Sequence, residues 1–245
     1  MKNKLMCHVV AGYPSQEECV ELLLKMQGAG IQTIEVQIPF SDPIADGETI
    51  MRANDKALER GMTTKKSFDL IKTARNKGLK ADIYIMSYSQ KLISFGIEEF
   101  CSSAAEVGAK GFIIPDLPVE TEEYELLRKS SEVRGLEIVP VVSPGVSENR
   151  LKENIKHAKN IIYLTSIKGI TGSSLGLSRE LKQVAKEIKR QKPECKLAIG
   201  FGIGNKQDVE KVLEVADIAV LGSSVIRKID SSGISGAVRF LEGLL

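Results

Sequence analysis

Residues 33–47 read Thr-Ile-Glu-Val-Gln-Ile-Pro-Phe-Ser-Asp-Pro-Ile-Ala-Asp-Gly, and they hold the two side chains best suited to chemistry, Glu35 and Asp46. Ile34, Val36 and Ile38 alternate with Glu35 and Gln37, which is the period of a strand. Pro39 brings no N–H and ends the ladder. Asp42-Pro43 and Asp46-Gly47 are turn dipeptides. Glu35 therefore lies inside a strand, where a buried charge is costly, and Asp46 lies in a loop able to fold back over the strand end. Two acids in such different surroundings can hold different protonation states at one pH, as acid–base catalysis by a carboxylate pair requires. The competing reading is a solvated Glu on an edge strand, followed by a polar turn.

Other chemistries have less support. His8 and His157 are the only histidines, which argues against a His-based triad or a His-rich metal site. His8 falls in the first strand, as a core or barrel-lining residue or as a functional contact. His157 falls in a basic helix and reads as surface. Cys7, Cys19, Cys101 and Cys195 are widely spaced and lack a Cys-x-x-Cys motif, so neither a zinc site nor a disulfide framework is indicated. Cys7, in an apolar strand, reads as buried and inert. A formal charge of +2 leaves no nucleic-acid footprint. No apolar run approaches the ~20 residues of a membrane span, and no signal peptide precedes Leu5. With 42% hydrophobic and 27% charged residues, the chain reads as a soluble cytoplasmic protein.

The elements that position the acids follow from periodicity and punctuation. Besides the strand holding Glu35, strands are expected over 5–10, 81–86, 111–114, 137–142, 161–164, 196–199 and 218–221. Helices are expected from Ser15 to about Ala29 and over 49–61, 64–77, 97–107, 119–134, 147–158, 178–191, 206–215 and 234–245. Ser15 with Glu18 forms a capping box. Strands separated by helices must run parallel, because the crossover is long. Eight such units in 245 residues read as one (β/α)8 barrel spanning 1–245. An open doubly-wound sheet is disfavoured because no Gly-x-Gly-x-x-Gly turn follows the first strand.

A parallel barrel carries its site at the carboxyl ends of its strands. Asp42 and Asp46 follow the second strand, and Pro115-Asp116-Leu117-Pro118 follows the fourth. A Gly/Ser/Thr-rich loop over 166–176 follows the sixth, Gly200-Phe201-Gly202-Ile203-Gly204 the seventh, and Gly222-Ser223-Ser224 the eighth. Glycine lets backbone N–H groups approach an anion, and Ser or Thr adds hydroxyl donors. The last three clusters thus read as a phosphate site. Neither of the final two contains Lys or Arg, so backbone dipoles would hold the phosphate with moderate affinity. No Lys for a Schiff base lies in 161–164, and Asp42, Asp46 and Asp116 are too scattered for a metal site. The sum is acid–base chemistry on a small phosphorylated molecule.

The block 34–47 resembles the signature of the tryptophan synthase alpha subunit family. The likeness continues in Ala11-Gly12-Tyr13-Pro14, Pro115-Asp116-Leu117-Pro118, Gly169-Ile170-Thr171-Gly172, Gly200-Phe201-Gly202-Ile203 and Gly222-Ser223, in order from about Leu5 to the end. The resemblance implies a (β/α)8 barrel that cleaves indole-3-glycerol phosphate to indole and glyceraldehyde 3-phosphate, without metal or organic cofactor. It implies a pyridoxal-phosphate beta subunit as partner in an alpha2-beta2 complex, receiving indole through a tunnel. Glu35 matches the family's catalytic glutamate and Asp46 its second catalytic acid. Gly172, Gly202, Gly222 and Ser223 match phosphate-binding positions. Tyr163 and Thr171 match positions near substrate and the closing loop. By the same resemblance, residues 166–177 would form a lid, with the Thr171 hydroxyl reaching Asp46.

This sequence departs from the family at several points. Gln37 stands where Gly is usual, and could hydrogen-bond Glu35 or crowd the indole site. Ser89 stands for a usual Asn, Ile167-Lys168 for Arg-Thr or Arg-Ser, and Glu48 for Pro. The sequence also begins almost at the first strand, where the family carries a helix that plugs the barrel bottom. Two other functions remain open: a barrel that mainly activates a beta partner with weak lyase activity of its own, and a lyase or isomerase acting on another phosphorylated sugar.

Overall fold

The computed structural model describes residues 4–165, 177–200 and 202–245. Among them nine parallel strands form one sheet: β1 (Leu5–Val10), β2 (Thr33–Gln37), β3 (Asp82–Met86), β4 (Gly111–Ile113), β5 (Glu137–Val139), β6 (Val141–Val142), β7 (Ile161–Thr165), β8 (Lys196–Gly200) and β9 (Ile218–Leu221). Their order is β5-β4-β3-β2-β1-β9-β8-β7-β6. The helices are α1 (Gln16–Gly28), α2 (Glu48–Glu59), α3 (Thr64–Asn76), α4 (Ser89–Phe95), α5 (Ile97–Glu106), α6 (Glu122–Glu132), α7 (Glu148–His157), α8 (Arg179–Gln191), α9 (Lys206–Leu213) and α10 (Ser223–Glu242). None of these is long and apolar enough to cross a membrane.

The nine segments are the expected eight strands with the fifth divided in two. The sequence pattern makes residues 137–142 one strand, but Pro140 brings no N–H and divides them. The first part pairs with β4 and the second with β7. Tyr163 N–H donates to Pro140 O at 2.9 Å and carries the ladder across the break. The two ends of the sheet are therefore the two halves of one strand, and the barrel is nearly closed.

Two further expectations change. The short α4 has no counterpart in the sequence reading; it ends at Gly96, whose φ of +93° suits glycine. The last helix begins at Ser223 rather than residue 234 and kinks at Gly233, where φ is +65°. The other elements fall close to their expected positions.

Each strand faces two ways. Leu5, Cys7 and Val9 of β1, with Ile34 and Val36 of β2, belong to the layer between sheet and helices. Met6, Tyr84, Met86, Ile113, Val139 and Val220 belong to the barrel interior. Fully burying a Leu, Ile or Val side chain contributes roughly 1.5–3 kcal/mol, so the outer layer holds the helices against the barrel. Cys7 is buried, and burial pushes its thiol up to about 12. His157, expected on the surface, is half-buried with its ring edge-on to Tyr124 at 5.2 Å.

Candidate active site

β2 runs between β1 and β3, so Glu35 is not on an edge strand. It is only 3% exposed, and the solvated-turn reading fails on that burial. The register pairs His8 of β1 directly with Glu35, and Val10 with Gln37. Paired residues of parallel neighbours point the same way, and residues two apart on one strand share a face. His8 is therefore brought alongside both Glu35 and Gln37.

Side-chain contacts follow from that register. His8 Nδ1 lies 3.3 Å from Glu35 Oε2, and His8 Nε2 lies 2.9 Å from Gln37 Oε1. Gln37 Nε2 donates to Asp46 Oδ2 at 2.7 Å. The Tyr88 hydroxyl donates to the same oxygen at 3.0 Å and accepts from Ala45 N–H at 3.1 Å. The loop after β2 thus folds back over the strand end and brings Asp46 to the second acid through Gln37 and His8. Gln37 does not hydrogen-bond Glu35, one of the two roles open to it in the sequence.

The loop is held by residues that sequence reasoning did not single out. Asn54 of α2 is fully buried; it accepts from Phe40 N–H at 3.0 Å and donates to Ile50 O at 2.9 Å. The Phe40 and Tyr88 rings pack at 5.3 Å between centroids. A polar residue at Asn54, in a helix whose neighbouring buried positions are apolar, was the available signal for the first. Nothing short of the fold could have marked Tyr88.

Burial raises the Asp46 pKa, opposed by His8, Gln37 and Tyr88, which favour its charged form; the balance is a raised value. For His8, burial works downward, but Glu35 and Asp46 outweigh it and the ring titrates above 6.5. Burial, with Glu35 and Asp46 adding to it, holds the Tyr163 phenol well above its usual value. Tyr163 packs against the apolar cluster of the barrel interior, within electrostatic reach of both acids.

The other expected residues divide. A Cβ at Gly200 would stand 2.6 Å from the Tyr163 hydroxyl, so that glycine makes room for Tyr163. Gly202 is exposed in the loop between β8 and α9. Gly204 N–H donates to Asp208 Oδ2 at 2.9 Å and is thereby taken by the cap of α9. Gly222 precedes α10 as its cap residue with no side-chain cap bond, and Ser223 is the first helical residue. The first-turn N–H groups of a helix lack intrahelical partners and favour an anion. A Cβ on Gly222 would meet His8 at 3.5 Å, which places this helix start beside the acids.

Asp116, after β4, accepts from Ser89 N–H at 2.8 Å and Ser89 Oγ at 2.7 Å, so it anchors the start of α4. Asp42 is exposed and accepts from Ser41. Thr171 and Gly172, the Ile167-Lys168 departure and all of the expected lid over 166–177 except Leu177 lie outside the described residues.

A parallel barrel with two carboxylates at its carboxyl mouth and a helix N-terminus beside them defines the class: a (β/α)8 barrel built for acid–base chemistry on an anionic small molecule. The chain belongs to the tryptophan synthase alpha chain family, whose model matches residues 1–239. It is 37% identical to the tryptophan synthase alpha chain of Petrotoga mobilis over 228 residues, covering 93% of this chain and 87% of that one. It is 34% identical to that of Chloroflexus aggregans over 245 residues, covering 98% and 91%. A solved mutant tryptophan synthase alpha-subunit of Pyrococcus furiosus superposes with a TM-score of 0.87 at 27% identity, covering 98% of this chain and 97% of that one.

Proposed function

We propose that this chain cleaves indole-3-glycerol phosphate to indole and glyceraldehyde 3-phosphate, with Glu35 and Asp46 as the acting carboxylates. One observation carries the reading: a buried acid on β2 and a loop acid meet at the barrel mouth through Gln37 and His8. In a retro-aldol cleavage the C–C bond breaks once indole C3 is protonated. Glu35 delivers that proton and then accepts one from the glycerol hydroxyl, while the bonding pair returns to the indole ring. Asp46 accepts the indole N–H and stabilises the positive charge arising there. Among the described residues, Gln37 and Tyr88 both donate to Oδ2, and Oδ1 is the oxygen assigned to that contact.

The phosphate lies at the start of α10, against Gly222 and Ser223, with Gly202 on the adjoining loop and Tyr163 on the wall of the cavity. Family membership supports a pyridoxal-phosphate beta subunit as partner, in an alpha2-beta2 complex in the cytoplasm. The test is indole release from indole-3-glycerol phosphate, measured with and without a beta subunit. Turnover by the chain alone, raised by the partner, is the expected result. A second reading rests on Gln37, whose side chain bridges His8 and Asp46 between the two acids: a barrel that chiefly activates the beta subunit. Stimulation of the beta reaction with no measurable indole release would favour it.

A further inference from the structure

We infer that His8 is the proton partner of Glu35, and that Gln37 fixes the imidazole in the tautomer this pairing needs. The inference rests on the lyase reading and names two positioning residues for it. The hydrogen bonds are fixed in turn from Asp46 inward. An ionised carboxylate only accepts, so the Gln37 group facing Asp46 Oδ2 must be its NH2. The Gln37 carbonyl then faces His8 Nε2, which must carry a hydrogen to donate across 2.9 Å. In a neutral ring that leaves Nδ1 with the lone pair, and Nδ1 is the nitrogen 3.3 Å from Glu35 Oε2.

Among the described residues, Glu35 Oε2 is the enclosed side-chain oxygen with no hydrogen-bond partner. A bare carboxylate oxygen enclosed in a barrel is costly, and a proton between it and His8 Nδ1 removes the cost. The proton sits either on Oε2, as carboxylic acid and imidazole, or on Nδ1, as carboxylate and imidazolium. Both forms keep the Gln37 contact.

The cleavage changes the charge of Glu35 twice: it loses a proton to indole C3 and regains one from the glycerol hydroxyl. The one proton shared by the pair passes from Glu35 to C3 and leaves carboxylate and neutral imidazole, a negative charge opposed by the positive charge arising on the indole. The glycerol hydroxyl proton then restores the pair, and His8 Nδ1 is the second site that can hold it. Glu35 from β2 and Asp46 from the following loop are the charged groups that raise the ring's proton affinity, and Tyr163 from β7 faces the same two acids. A Cβ on Gly222 would meet the ring at 3.7 Å, and that residue brings no charge.

Two histidines make the test direct. His157→Gln removes the second imidazole, so 15N spectra of that protein report His8 alone. The expected spectrum shows Nε2 protonated throughout and only Nδ1 titrating, with a midpoint that falls in Glu35→Gln. In Gln37→Leu the neutral ring should become a mixture of tautomers. A neutral ring protonated on Nδ1, or a midpoint unmoved by Glu35→Gln, would overturn the pairing. For activity, His8→Phe keeps an aromatic ring but carries no proton. It should lower kcat on the order of tenfold or more, change KM little, and shift the pH limb of kcat. An unchanged kcat and pH limb would overturn the role in turnover. Should the parent release no indole while the spectra show the pairing, the lyase assignment falls and the proton pair stands.

Discussion

In the proposed cleavage Glu35 donates and accepts a proton within one turnover. Glu35→Gln preserves its shape and removes that ability. Indole release should fall about 10²–10⁴-fold, with an unaltered circular dichroism spectrum and an intact unfolding transition. His8 makes a separate prediction about stability. Its folded-state pKa is raised above 6.5 by Glu35 and Asp46 against the downward pull of burial. The folded state thus holds the proton more tightly than the unfolded chain. The stabilisation is complete below pH 6.5 and is lost as pH rises through the folded value. Urea unfolding across that range should show stability declining with pH, and His8→Phe should flatten the decline. A slope identical in both proteins would assign the effect to other groups.

At the scale of elements, the site depends on α2 and on the start of α10. Asn54 fastens α2 to the chain just after Pro39, through a buried bond to Phe40 N–H. Asn54→Ala leaves that donor unpaired and should cost about 1–3 kcal/mol in unfolding free energy. It should also loosen the loop that carries Asp46, visible as faster amide exchange over 40–46. The start of α10 offers uncapped N–H groups at Gly222 and Ser223. Gly222→Asp places bulk and negative charge there, beside His8. Binding of a glycerol-phosphate analogue should weaken by repulsion and steric block. Equal affinity in both proteins would move the phosphate elsewhere.

The whole molecule is a ring whose closure is set on both sides of the fifth strand. A Cβ at Gly111 would stand 2.0 Å from the backbone oxygen of Glu137, so β4 and β5 meet only because that position is glycine. Gly111→Ala should cost about 1–3 kcal/mol or more by overpacking, read as a lowered midpoint of thermal unfolding. Beneath this contact Glu137 is fully engaged, accepting from the Tyr84 hydroxyl at 2.5 Å and from Asn160 Nδ2 at 3.0 Å. Much of this architecture was legible in the chain. Strand alternation, the helices between strands and the turn residues are local signals, and they marked the barrel and the mouth to which Glu35 and Asp46 belong. The short α4 and the first half of α10 were missed, because Gly96 and Gly233 punctuate without showing how far a helix extends before them. Long-range contacts carry no local signal. That Asp116 anchors Ser89, that Gly200 yields to Tyr163, and that Gly204 serves the cap of α9 were decided only when separate loops met. The sequence by itself determined the strand that holds Glu35 and the turn-rich loop that holds Asp46, because period and punctuation are properties of neighbours along the chain. Only the tertiary structure decided that His8 stands between Glu35 and Gln37, because that depends on the register of β1 against β2, which closing the barrel sets.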